Sequence, residues 1–151
     1  MKETKLQKEY VDDGFGFPIK LLNVPMVKVR GTWTPDIDYN KLTTEVLKTL
    51  ARKPTRLTGN EIRFIRLQAA VTLVEFGQRF GVTHANVKKW ENSGDQATNM
   101  QWSTEKDIRL FVALRTLGEA TMVDLYRDLT KKRAAKKQTT KFDVQELAIS
   151  A

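Results

Sequence analysis

The stretch from Leu73 to Asn92 admits very few folds. It holds two short runs with helical spacing on either side of Gly81, and Phe76, Phe80, Val82, Val87 and Trp90 are spaced so that two helices crossing over a tight turn bury all five together. A close crossing needs a small residue on the first helix, and Gly77 stands there. The turn needs a residue that enters the left-handed region without a Cβ penalty, which Gly81 supplies. Thr72 and Glu75 have the S/T-x-x-E form of a capping box, and Thr83 is placed to cap the second helix, so both helices carry their own start signals. Thr72 to Asn92 therefore reads as a helix-turn-helix, in preference to a plain helical hairpin.

The outward face of the second helix follows from the step of about 100° per residue. With Val87 and Trp90 directed inward, Ala85, Lys88 and Lys89 lie opposite, His84 sits at the N-terminal end and Asn86 lies to the side. Lysine donates to guanine or neutralises a phosphate, a methyl group contacts thymine, and asparagine pairs with adenine. Thr83, His84, Ala85, Asn86, Lys88 and Lys89 are thus the candidate contacts to the major groove of double-stranded DNA. The charge of the chain agrees, since 26 Lys and Arg against 18 Asp and Glu leave +8. Such a field draws polyanions before any specific contact forms.

Around this motif the pattern is helical. Asp36 or Asp38 caps a linking helix with Tyr39, Leu42, Val46, Leu47 and Leu50 on one face until Pro54. Thr58 to Glu61 forms another capping box, opening a helix through Ile62 and Ile65 towards Ala70. After the turn Ser93-Gly94-Asp95, one helix begins at Ser103 or Thr104 and carries Ile108, Phe111, Val112 and Leu114. Another carries Met122, Leu125, Tyr126 and Leu129. At the other end, Met1 to Asp13 reads as a flexible arm, and Ile19 to Leu22 with Val24 to Val29 read as two short strands of a hairpin. The segment 131–151 reads as a basic tail, with Lys131 to Lys137 assisting DNA binding nonspecifically.

Thr72 to Phe76, Gly81 to Thr83 and Val87 to Asn92 resemble the Cro/C1 (XRE) family of repressor domains over Leu57 to Leu117. More narrowly, Arg56 to Arg66 is similar to the corresponding segment of MqsA-type antitoxins. The resemblance implies a mainly α fold: a lambda-repressor-like helix-turn-helix domain (55–130) preceded by a small β hairpin and linking helix (14–54). It also implies a buried Arg–Glu pair, Arg66 with Glu91, as structural residues beside Gly77, Gly81 and Trp90. The implied role is a dimeric transcriptional repressor, an autoregulating antitoxin in the narrower likeness, whose N-terminal module holds a toxin-like protein. A protein-interaction module that sequesters such a partner, with DNA binding secondary, is the alternative. MqsA-type proteins usually carry a zinc site of four cysteines in that module, and this chain has no cysteine.

Other classes fit less well. Without cysteine and with a single histidine there is no disulfide framework and no thiolate metal site, so no metal and no cofactor are expected. No apolar run approaches the ~18 residues of a membrane span, and Met1 to Tyr10 is too polar for a signal peptide, so a cytoplasmic, nucleoid-associated protein is expected. An enzyme needs converging polar groups, yet His84 falls on the expected DNA face without a nucleophile beside it, and Asp12, Asp13, Asp36 and Asp38 fit turns or caps. Gly14-Phe15-Gly16 is too short for a phosphate loop. Trp33 and Trp102 are expected as core or dimer anchors.

Overall fold

The computed structural model describes every residue except 1, 132 and 136–138. The chain divides into two compact units, Met1–Glu45 with Thr139–Ala151, and Val46–Gln138. Helix α1 (Tyr39–Arg52) begins in the first and ends in the second. Among the described residues no helix is long and apolar enough to cross a membrane.

The first unit is built on a four-stranded sheet: β1 (Thr4–Asp12), β2 (Ile19–Val29), β3 (Thr32–Pro35) and β4 (Lys141–Asp143). Strand β2 is central. It pairs antiparallel with β1 from Thr4↔Val27 to Asp12↔Ile19, antiparallel with β3 from Met26↔Pro35 to Val29↔Thr32, and parallel with β4 through Leu21↔Phe142. Between β2 and β3, Arg30 and Gly31 have φ of 50° and 82°. Positive φ at both residues is what a two-residue hairpin turn requires for its twist to match the strands.

Several expectations change here. The molecule is mixed α and β, not mainly α. Thr4 to Asp12 is not a flexible arm but an edge strand. Its side chains are largely exposed, so backbone pairing holds it, and no hydrophobic alternation announces it. The pairs Glu9–Lys20 at 3.6 Å and Glu3–Lys28 at 3.5 Å link it further to β2. Ile19 to Val29 is one strand instead of two. Asn23, at φ 53°, shifts the inward positions from Ile19 and Leu21 to Val24 and Met26 while pairing with β1 continues in the same register.

The tail is corrected as well. Residues 141–143 add a strand to the sheet, and Phe142, Val144 and Ile149 are buried in the first unit. Asn23 Nδ2 donates to Asp143 at 2.7 Å, fastening β4 where the inward pattern changes. Of the basic run, Lys131 is exposed, whereas Lys132, Lys136 and Lys137 lie outside the described residues.

The second unit carries five helices after α1: α2 (Gly59–Gln68), α3 (Leu73–Phe80), α4 (His84–Glu91), α5 (Trp102–Thr116) and α6 (Glu119–Asp128). Leu57, Ile62, Ile65, Phe76, Val87, Ile108 and Leu129 are among its fully enclosed side chains. Sequence patterning did not reveal that its centre is ionic. Arg109 and Glu105 are completely buried one helical turn apart on α5, with Arg109 Nη2 2.8 Å from Glu105 Oε2. Glu105 Oε1 accepts from Arg56 Nε at 2.7 Å, and its other oxygen accepts the Leu57 amide at 3.2 Å. Arg109 donates to the carbonyls of Lys53 and Thr55, each at 2.6 Å, and Arg56 donates to that of Met100. Lys53 Nζ reaches Glu61 at 2.7 Å. Burial pulls the Arg109 guanidinium below its ordinary pKa, against the opposing pull of Glu105. An arginine remains charged nonetheless.

Removing one member of such a cluster strands the others without water. Arg109→Ala should therefore cost the second unit about 3–5 kcal/mol in urea unfolding, as breaking buried ion pairs does. A loss below about 1 kcal/mol, the level of a surface pair, would contradict the central place given to this network.

Candidate nucleic-acid interface

Helices α3 and α4 are joined by a tight turn at the positions the sequence indicates, and local signals account for the helix starts and the turn. Thr72 Oγ1 accepts from the Glu75 amide and Glu75 accepts from the Thr72 amide, both at 3.1 Å. Gly81 ends α3 at φ 74° in the left-handed region. Thr83 caps α4, its hydroxyl accepting the Asn86 amide at 3.2 Å. At Gly77 the Val82 amide donates to the glycine carbonyl at 2.9 Å, and a Cβ there would lie 2.6 Å from the Val82 carbonyl oxygen. The two backbones meet at that point with no room for a side chain.

Tertiary contacts then fix the roll of α4. Val87 is fully buried and Trp90 nearly so, while Phe76 is buried and Phe80 half-buried. The Phe80 ring lies 4.7 Å from that of Phe76 and edge-on to Phe111 at 5.5 Å. Arg66 holds the end of α4 through both carboxylate oxygens of Glu91, Nε to Oε2 at 2.6 Å and Nη2 to Oε1 at 3.0 Å. Its remaining nitrogen donates to the Val71 carbonyl at 3.1 Å, in the connection between α2 and α3. Those bonds to Glu91 raise the Arg66 pKa above its ordinary value. Arg63 stands 4.0 Å from the same carboxylate with most of its side chain in solvent.

Thr83, His84, Ala85, Asn86, Lys88 and Lys89 are all exposed on α4. They form two neighbouring surfaces. Asn86 and Lys89 line a groove of about 440 Å³ together with Trp90, Ser93, Asn99 and Gln101. His84, Ala85 and Lys88 stand outside it. Lys89 belongs to both surfaces, four residues from Ala85 and three from Asn86.

The groove was not legible in the sequence, because Ser93, Asn99 and Gln101 lie in the irregular connection after α4 and no periodicity places them. Gly59 was missed too. As the first residue of α2 it seemed only part of a capping box, yet a Cβ there would meet the Trp90 carbonyl oxygen and lie 2.8 Å from both the Glu91 carbonyl oxygen and the Gly94 nitrogen. The start of α2 therefore rests on the backbone at the end of α4.

These three glycines should fail for different reasons. A Cβ at Gly81 meets nothing within 4 Å, so Gly81→Ala bears only the cost of a left-handed backbone, about 1–2 kcal/mol. Gly59→Ala and Gly77→Ala push backbone against backbone and should each lose more, up to about 3 kcal/mol. Urea denaturation of the three variants checks the order, and a Gly77→Ala variant as stable as the parent would mean that the helices do not cross so closely. No family model, curated protein or solved structure matches the chain, so this surface is described from its own residues.

Proposed function

We propose that this chain is a sequence-specific, double-stranded DNA-binding transcriptional regulator, a dimeric repressor of Cro/C1 (XRE) type that lays α4 in the major groove. One observation carries the reading: an exposed polar helix face is held by Val87, Trp90 and Glu91 on its inner side, so its outward residues are free of any packing duty. Short, firmly mounted helices of this kind suit base reading, because the side chains arrive at the groove already oriented. The net charge of +8 supplies the long-range attraction.

In this reading Lys88 and Lys89 meet phosphate or guanine, Ala85 offers a methyl to thymine, and Asn86 is placed for adenine. His84 stands at the N-terminal end of the helix, where the groove is entered. Thr83 accepts the Asn86 amide through its hydroxyl oxygen, which leaves the hydroxyl proton to donate to a phosphate. The proposal assigns no catalytic step to the chain.

A second reading rests on the sheet. Strand β1 is an edge, with Leu6 65% and Val11 52% exposed, and a toxin-like protein partner would bind there by adding a strand. Sequestration would then be the main activity and DNA binding the regulatory one, as in an autoregulating antitoxin.

The first reading is tested by selecting duplexes from a random pool and titrating the preferred one at several salt concentrations. Affinity should fall steeply with salt, and a flat dependence would overturn the reading. Lys89→Ala should leave stability within about 0.5 kcal/mol while weakening operator binding by about 1–3 kcal/mol. Trp90→Ala should instead cost about 3–5 kcal/mol of folding stability. The reverse outcome would place α4 the wrong way round.

A further inference from the structure

The buried ion cluster of the second unit does not balance. Lys53, Arg56 and Arg109 bring three positive charges into the interior, and Glu61 and Glu105 bring two negative ones. Arg133, at the edge of the cluster, is matched by Asp128. A buried charge without a counter-charge is costly, so the surplus calls for an anion. The hydrogen bonds place the surplus at Arg56. Arg109 commits its guanidinium to Glu105 and to the carbonyls of Lys53 and Thr55, and Lys53 Nζ reaches Glu61 and the Arg56 carbonyl. The Arg56 side chain is only 8% exposed, with Nε on Glu105, Nη2 on the Met100 carbonyl and the Trp102 ring centre 5.6 Å from the guanidinium carbon. Its Nη1 makes no hydrogen bond among the described residues. Nor is that nitrogen sealed in, because the Thr55 hydroxyl oxygen is the one fully enclosed side-chain polar atom without a partner among those residues.

The opening is a cavity of about 320 Å³ that Arg56 lines together with Thr58, Asp95, Gln96 and Asn99. Two of these residues add donors. Thr58 Oγ1 accepts the Glu61 amide at 3.2 Å, which leaves the hydroxyl proton to give. Asn99 is exposed, and its side-chain amide makes no hydrogen bond among the described residues. The N-terminus of α2 contributes a favourable field only, since its first amides already donate to Gln96, Gly94 and Thr58. Asp95, exposed on the rim, is the single acid among the lining residues.

We propose that this cavity is a binding site for a phosphate group. Guanidinium, hydroxyl and amide donors border it from three points of the chain, which suits an anion with several oxygens better than a chloride or a flat carboxylate. The negative charge of a phosphate offsets the surplus of the cluster, and the cavity is larger than the bare ion, leaving room for the group that carries it. Two sources offer this chemistry. One is free phosphate or a phosphate monoester; the other is a backbone phosphate of DNA, because Asn99 also lines the groove beside Lys89. The site rests on Arg56 and its cluster, whether or not α4 reads DNA.

Inorganic phosphate is the probe. Titrated into the full chain without DNA, against chloride at equal ionic strength, it should bind one ion per chain with a Kd on the order of 1 mM. Asp95→Asn removes the negative charge of the rim and should tighten binding about threefold or more. Asn99→Gly keeps the left-handed backbone at φ 55° while removing a donor, and should weaken binding about threefold or more. Arg56→Gln should abolish it, and the two rim variants, which leave the cluster intact, decide the matter where Arg56→Gln fails to fold. No saturable binding up to the order of 50 mM, or an affinity unchanged in either rim variant, would overturn the proposal; the second result would mark diffuse attraction to surface lysines. Repeating the titration with a selected duplex bound identifies the source: free phosphate keeps its affinity, whereas a DNA phosphate in the cavity lowers it about tenfold or more, and reciprocally. The first titration needs no duplex, so its failure is distinct from a failure of the DNA reading.

Discussion

The position of α4 depends on an ion cluster that, among the described residues, makes no hydrogen bond to it. Residues 53–58 connect α1 to α2 without regular structure, and the interior holds much of their backbone. Buried peptide groups need hydrogen-bond partners. Arg109 supplies two of them, donating to the carbonyls of Lys53 and Thr55, and Glu105 supplies a third by accepting from the Leu57 amide. Both side chains come from α5, so α5 acts as a template on which an irregular segment is laid. That segment ends at Thr58, where Glu61, itself bonded to Lys53, closes the cap of α2. The first residue of α2 then rests against the backbone at the end of α4. The order of dependence runs from α5 through the connection and α2 to α4.

Such a centre also shapes how the second unit comes apart. Arg56 and Glu105 are 49 positions apart in the chain, yet they meet as partners in the interior. Opening either side alone would leave a guanidinium or a carboxylate in a medium that solvates it poorly. The helices of this unit are thereby coupled into one cooperative block, and α4 belongs to that block through Arg66 and Glu91. Within the same centre the Thr55 hydroxyl oxygen has no hydrogen-bond partner, the one such buried side-chain atom among the described residues.

What could be read from the sequence divides along the same physical line. Helices α3 and α4 and the turn between them were legible because their determinants are local: caps at Thr72 and Thr83, a left-handed glycine at 81, and apolar residues at one helical period. The sheet was largely illegible. Strand β1 is an edge held by its backbone, Asn23 changes the alternation in mid-strand, and β4 joins from 120 residues away. The ionic centre was equally hidden, since Lys53, Arg56, Glu61, Glu105 and Arg109 look like ordinary surface residues until distant helices enclose them. On α4, the helical period sufficed to find the outward face, whereas the groove beside it needed the path of the connection after α4.

This division of labour has an evolutionary consequence. The residues that mount α4 form a tightly interlocked set in which few can change alone: glycines with no room for a Cβ, a bidentate ion pair, and a buried charge cluster. On the outward side, His84, Ala85, Asn86, Lys88 and Lys89 contribute no side chain to the core. Descendants of this chain can alter those five positions at little cost to folding, while the scaffold tolerates mainly concerted change. A lineage built this way can diversify the outward face of α4 without first rebuilding the domain that presents it.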